Sequence, residues 1–160
     1  MNEKLQKYAL IAEILGGIAV VVSLIYVGFQ IQQNTTERRA DSIESLNTGY
    51  REIALTYVEI KDAGVAWHKV LDGEELTKRD LDVMSDSLFA HLMLLEDTYN
   101  KHQQGYIDDE FLAARTSLEI MRVTLSPQLR EVYESMKDEG IYTESFIRWF
   151  DEEIDKAGAG

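Results

Sequence analysis

Histidines and carboxylates are the residues of this chain that could do acid–base or metal chemistry. Two of the three histidines, His91 and His102, lie eleven residues apart, which places them on one face of a predicted helix. Metal-binding helices carry their ligands one turn apart, as in H-E-x-x-H or E-x-x-H, and neither pattern occurs in the sequence. The nearby acids Glu96 and Asp97 fall on a different side from His91. The spacing therefore favours a histidine at the edge of a helical core over a metal site.

Nucleophile and phosphate-binding motifs are also missing from the sequence. It contains neither the G-x-S-x-G of serine hydrolases nor the G-x-x-x-x-G-K-[ST] loop that binds phosphates. It has no cysteine, which excludes disulfides, thiolate metal ligands and cysteine nucleophiles. We therefore expect no enzymatic activity, no catalytic residue, no bound metal and no cofactor.

One acidic residue, Glu13, interrupts an otherwise uncharged apolar run from Tyr8 to Ile31. As a helix this run would be about 36 Å long, against about 30 Å for the hydrocarbon core of a bilayer. The run lacks the cleavage site of a signal peptide. A buried helix of a soluble protein is also disfavoured, because the run is apolar on all sides and a chain this small offers little core to cover it. We therefore expect a transmembrane helix over residues 8–31, preceded by a short flank of residues 1–7.

Small residues form a strip along one face of this predicted transmembrane helix. Ala12, Gly16, Ala19 and Ser23 are four, three and four residues apart. Such strips let helices pack closely in lipid, so the pattern predicts self-association. Glu13 lies beside the strip, where a carboxylate must be hydrated, protonated or paired. Two interpretations stay open: Glu13 reaches water at the headgroups, or several copies form a ring of Glu13 side chains that favours cations.

The region after the apolar run is predicted to remain helical from Gln32 to about Ala63, with the helix weakened at Gly64. Residues 32–42 are polar on all sides and would form a stalk outside the bilayer. Apolar side chains then recur at steps of three and four. We call these residues the seam: Ile43, Leu46, Tyr50, Ile53, Tyr57 and Ile60. The seam is either the core-facing stripe of a small bundle, which we favour, or a coiled coil between chains.

Further helices are predicted from cap residues. Thr77 and Asp80 form a capping-box pattern, and Asp108, Ser126 and Thr143 are expected to cap the helices that follow. No segment shows the alternation of a strand. The fold class is therefore predicted to be all-α, with one N-terminal transmembrane helix that continues into a small soluble helical bundle. The soluble domain would occupy residues 43–156, with a flexible tail at 157–160.

The part of the chain after Ile31 is strongly acidic. It has 27 acidic and 14 basic residues, a net charge of −13. Such a surface repels nucleic acid and anionic headgroups, so no nucleic-acid partner is expected. It would attract cations or a basic protein, although an acidic surface is ordinarily just well solvated.

Two strings carry a family resemblance. The first is AEILGGIAVVVSLIYVGFQIQQNT, from Ala12 to Thr35, and the second is LEDTYNKHQQGYIDDEF, from Leu95 to Phe111. Together they resemble an uncharacterised family of small bacterial single-span membrane proteins, whose opening follows A-E-I-x-G-x-I-A-V-V-x-S-L-x-Y-x-x-x-Q-I-x-Q-N-T. The resemblance covers most of the chain. It implies a bacterial inner-membrane location and a C-terminal helical domain, and it implies no substrate or catalytic residue.

The orientation of the predicted span stays open. Lys4 and Lys7 precede it and Arg38 and Arg39 follow it, so the basic residues near the two ends balance. Members of the family often carry more arginine after the QNT motif, which favours a cytoplasmic soluble domain.

These observations support three hypotheses on function. The first is a non-enzymatic membrane protein that self-associates through its transmembrane helix and acts as an assembly or scaffold component. The second is a homo-oligomeric cation channel, with Glu13 near the pore mouth and apolar rings such as Val20, Leu24 and Val27 as a gate. The third is an accessory subunit whose acidic domain binds a larger membrane protein. The expected partners are thus the lipid bilayer, further copies of the chain, or a larger membrane protein.

Overall fold

All regular structure in the range that the computed structural model describes, residues 3–159, is helical, so the predicted all-α fold class is confirmed. Six helices follow one another in this range: α1 Glu3–Glu59, α2 Lys61–Asp72, α3 Lys78–Gln103, α4 Asp109–Thr124, α5 Pro127–Asp138 and α6 Glu144–Gly158. Parts of the predicted flank and tail, at Met1, Asn2 and Gly160, lie outside the described residues. The rest of the flank, from Glu3, is helical, and α6 runs through Gly158 into the predicted tail.

The chain divides into two compact units, Met1–Ala40 and Asp41–Gly160, and the boundary falls within α1. In the first unit, every side chain described from Gln6 to Ala40 is exposed, including the whole apolar run. This segment is long and apolar enough to cross a membrane.

The polar stretch after the apolar run stays helical through bonds between its own side chains. The Gln33 amide donates to Glu37 at 3.0 Å, and the Arg38 guanidinium donates to Asn34 at 3.2 Å. Both pairs are four residues apart, the spacing at which helical side chains meet.

The helix that begins in the first unit ends earlier than the sequence predicts. We expected one helix to about Ala63, weakened at Gly64. Instead α1 stops at Glu59, and Ile60 adopts an extended conformation before α2 begins. Ile60 therefore lies between two helices and Gly64 lies inside α2. Neither glycine nor proline marks this break, which explains why the sequence pattern places it wrongly.

The connection from α2 to α3 is built from the expected turn chemistry. Gly73 adopts a left-handed conformation after α2, as a C-terminal glycine commonly does. Thr77 and Asp80 form the predicted capping box at the start of α3. The Lys69 ammonium also donates to Asp80 at 2.6 Å, which ties the end of α2 to the start of α3.

Helix α3 lies at the centre of the second unit and packs against α2, α4 and α5. Its apolar stripe is buried at Met84, Leu88, Leu92 and Leu95. The main core adds buried side chains from the seam and from α4 to α6, among them Leu46, Val123, Tyr133, Phe146, Phe150 and Ile154. A smaller core lies between α2, α3 and α5 and contains Ala66, Val70, Leu76, Met84 and Leu129. One helical bundle with two adjoining cores therefore forms the second unit.

Two of the predicted caps differ from expectation. Asp108 caps α4 by accepting from the Phe111 backbone N–H at 2.8 Å, as predicted. Ser126 and Thr143 occupy the N-cap positions of α5 and α6, but neither side chain accepts a capping hydrogen bond from a backbone N–H of its helix. The Thr143 hydroxyl instead donates to Glu96 at 2.7 Å. This hydrogen bond therefore links the start of α6 to α3.

Candidate functional site

The small-residue strip of the first unit lies on an exposed helix face. Ala12, Gly16, Ala19 and Ser23 are all exposed, and Glu13 is exposed beside them. A Cβ atom built on Gly16 meets nothing within 4 Å. The strip is thus open to a neighbouring helix.

The seam lies against the other helices of its own unit. Leu46 is fully buried in the main core, and Tyr50, Ile53 and Tyr57 are partly buried. The two ends of the seam are more open, because Ile43 is 38% exposed and Ile60 is 42% exposed. The middle of the seam therefore serves the fold of the second unit, and it meets α3 and α4 through polar side chains.

An ion pair on α4 forms the centre of these polar contacts. Glu119 is only 1% exposed, and its two carboxylate oxygens accept from one Arg122 nitrogen at 2.8 and 2.9 Å. Burial raises the pKa of Glu119, and the Arg122 guanidinium opposes that shift. A buried carboxylate is tolerated only when it is paired in this way.

Two tyrosines of the seam contact α3 and α4. The Tyr50 hydroxyl lies 3.3 Å from that of Thr98, and the Arg115 guanidinium stacks 4.4 Å from the centre of the Tyr50 ring. Burial raises the pKa of Tyr50 to about 12, which keeps the hydroxyl protonated. The Tyr57 ring meets His91 edge-on, with ring centres 5.9 Å apart.

His91 is buried and held as a neutral ring. Its Nδ1 lies 2.8 Å from the Ser87 carbonyl oxygen, and because a carbonyl only accepts, Nδ1 carries the proton. Burial lowers the pKa of His91 to about 4, and the Arg122 guanidinium acts in the same direction. At neutral pH the ring is therefore a packing and hydrogen-bonding group, at the margin of the core. His102 lies elsewhere, with its Nε2 at 2.7 Å from Asp109 on α4.

This set of residues, which we call the polar cluster, has the chemistry of a structural site: Tyr50, Tyr57, His91, Thr98, Arg115, Glu119 and Arg122. The Glu119 carboxylate is paired with Arg122 on the same helix, and the contacts of Tyr50 with Thr98 and Arg115 join α1 to α3 and α4. No group of three or more histidine, aspartate or glutamate side chains in the described part of the chain is arranged to hold a metal ion.

A groove lies over the polar cluster, between α1 and α3. Its volume is about 580 Å³. Its floor is apolar and is formed by Ile53, Tyr57, Ile60, Val83, Phe89, Ala90, Met93 and Leu94. Carboxylates stand at its rim, from Glu52, Asp86 and Asp97.

The groove continues along α1 into a second, more open section of about 540 Å³. Asp41, Glu44 and Ser45 line this section, and it shares Glu52 and Leu94 with the first. Gly49 lies where the two sections meet, and a Cβ built on it would come within 3.0 Å of the Leu94 side chain. The absence of a side chain at Gly49 therefore leaves room for the Leu94 side chain on α3.

Sequence reasoning missed the polar cluster and the groove. Apolar residue type alone misleads on α4, because Leu118 and Met121 are exposed. The buried face of α4 instead runs through Leu112, Thr116, Glu119 and Val123. The only signal in the sequence is that Glu119 shares a helical face with two buried aliphatic residues and stands three residues before Arg122.

Comparison with protein-family models, with curated proteins and with solved structures found no match to the chain. The family resemblance of the two strings therefore stays a prediction.

Proposed function

We propose that this chain is a single-pass protein of the bacterial inner membrane that self-associates through its membrane helix and anchors an acidic helical domain, acting as a non-enzymatic assembly or scaffold component. The observation that carries the proposal is the exposure of the entire apolar run from Tyr8 to Ile31. A soluble monomer rarely leaves a contiguous apolar patch of this kind uncovered.

The burial pattern favours lipid over the alternatives. The core helix of a soluble protein would be largely buried, whereas this segment is exposed at every described side chain. A cleaved signal peptide would end at a small-residue site, whereas here the helix continues through the polar stretch without interruption to Glu59. The bacterial inner membrane comes from the family resemblance alone.

The small-residue strip supports self-association. In lipid, helices associate through close packing, and small residues permit it. Gly16 and Ala19 occupy the middle of the strip, and a Cβ built on Gly16 meets no atom of the described residues within 4 Å. We assign self-association to the membrane helix and not to the seam, because Leu46 is buried in the core of its own domain and Tyr57 packs against His91 of that domain.

Alkaline carbonate extraction of bacterial membranes that contain the full chain tests the anchoring. We expect the chain to stay in the membrane pellet, because extraction removes proteins that are bound only through surface charge. Replacing Val20 and Leu24 with arginine should release it, because charged residues near the bilayer centre cost about 3 kcal/mol each on insertion scales. Release of the unaltered chain would contradict the proposal.

A further inference from the structure

The groove between α1 and α3 has the chemistry of a binding site for a basic amphipathic helix. Its apolar floor contains Phe89 and Met93, which are 37% and 51% exposed although they lie on the central helix of the bundle. Burying such side chains is favourable, and helix-in-groove recognition uses a floor of this kind. An apolar partner surface would therefore bind favourably to this floor.

The rim of the groove is negatively charged, which favours a partner that carries positive charge. Asp41, Glu44, Glu52 and Asp86 line its two sections, and none of these four carboxylates forms a salt bridge with another side chain that the structure describes. Asp97 differs, because the Lys101 ammonium lies 2.9 Å from it. No basic side chain lines either section among the described residues.

The length of the groove favours a helix over a small molecule. Its two sections follow α1 from Asp41 to Ile60, which corresponds to about 28 Å of helix. A partner helix of about 18 residues would cover that length. A second copy of this chain is a poor occupant, because residues 41–160 contain 26 acidic and 12 basic residues and would repel one another.

We propose that this groove docks a helix of another protein, apolar along one face and flanked by lysine or arginine. The apolar face would cover Ile53, Phe89 and Met93, and the flanking cations would meet Glu52 and Asp86. Complementary charge of this kind raises association rates and selects against acidic partners. The inference does not depend on self-association of the membrane helix.

Binding of a synthetic peptide to the full chain in phosphatidylcholine nanodiscs tests the proposal. The probe is an 18-residue labelled helix with leucines along one face, lysines beside them and alanine elsewhere. Fluorescence anisotropy at physiological salt is corrected with empty nanodiscs. We expect saturable binding of this peptide and none of a version with glutamate in place of lysine. Failure of the chain to enter nanodiscs would refute the anchoring proposal before any peptide is added, so the two failures are distinguishable.

Two matched pairs of variants locate the binding. Met93→Arg should weaken it at least tenfold, whereas Met121→Arg, which adds the same charge at an exposed methionine outside the groove, should change it less than twofold. Glu52→Gln with Asp86→Asn should also weaken it several-fold. The control for this pair removes two exposed acids of the α5 region, with Glu131→Gln and Glu139→Gln.

Equal losses within either matched pair would overturn the proposal, because the peptide would then bind the acidic surface without using the groove. Binding of the glutamate peptide would overturn it as well. Thermal unfolding of each variant checks whether the fold is retained. The pair at Glu52 and Asp86 keeps the test decisive if Met93→Arg fails to fold, since both acids are exposed.

Discussion

Glu119 places a carboxylate inside the bundle, and the Arg122 guanidinium compensates the charge of that carboxylate. The carboxylate is 1% exposed and accepts two hydrogen bonds from the Arg122 side chain, which is itself mostly buried. A buried ion pair adds little stability compared with apolar residues, whereas breaking it leaves an uncompensated charge. The intact pair therefore adds little to the stability of the fold, but each of its members depends on the other.

Removing one partner of this pair should be much worse than removing both. Arg122→Met should lower the free energy of unfolding by about 3 kcal/mol, because Glu119 is left buried without a partner. Glu119→Leu combined with Arg122→Met should recover most of that loss. Urea unfolding of the full chain, followed through the fluorescence of Trp67 and Trp149 in the second unit, measures both.

The matched control for this prediction is Arg130→Met. Arg130 pairs with Glu134 at 2.9 Å, and both side chains are more than a third exposed. Its removal should cost less than about 1 kcal/mol, as for other surface ion pairs. A loss at Arg122 as small as that at Arg130, or a double variant as unstable as Arg122→Met, would contradict the structural role assigned to the pair.

At the scale of the helices, residue patterns predict some features well and others poorly. The stripe of α3 and the caps at Thr77 and Asp108 follow from local sequence, because each rests on contacts within a few residues. The buried face of α4 does not, because Thr116 and Glu119 look like surface residues until Arg122 and α1 enclose them. Sequence patterns detect the buried face of a helix by the spacing of its apolar residues, and half of the residues on this face of α4 are polar.

The break at Ile60 and the groove are invisible for a related reason. No glycine or proline marks the break, and the groove is lined by residues distant in sequence, such as Gly49 on α1 and Leu94 on α3. The seam, in contrast, shows its apolar spacing in the sequence. Only the structure shows that Leu46 lies in the core of the same domain, whereas Ile53 lies on the floor of the groove.

Alanine substitutions at two glycines test the end of α3 and the interior of α2. Gly105 follows α3 with φ near +73°, a conformation that costs an alanine about 1–2 kcal/mol. Gly64 lies inside α2, where an added Cβ meets nothing within 4 Å. Gly105→Ala should therefore destabilise the second unit by about 1 kcal/mol, and Gly64→Ala should stabilise it by about 0.5–1 kcal/mol.

Urea unfolding under the same conditions measures both alanine variants. The opposite signs provide the control, because the two substitutions add the same methyl group. Stabilisation by Gly105→Ala would contradict the left-handed helix end, and destabilisation by Gly64→Ala would contradict the assignment of that residue to an open helical position.

At the scale of the molecule, we propose different roles for the two units. The first is apolar, exposed and lined on one face by small residues, which suits lipid and close helix packing. The second has a net charge of −14 over residues 41–160, which opposes contact between copies. Self-association is therefore assigned to the membrane helix, and binding of other proteins to the acidic domain.

The mass of the full chain extracted in mild detergent, measured by native mass spectrometry, tests self-association most directly. We expect one defined oligomer for the unaltered chain. Gly16→Leu with Ala19→Leu should shift it to the monomer, because the larger side chains separate the packed helices. Gly17→Leu with Val21→Leu should leave the oligomer intact, because these residues lie on the other side of the helix and a Cβ on Gly17 also meets nothing. A monomeric unaltered chain, or an oligomer that survives the change at Gly16 and Ala19, would contradict the proposed function.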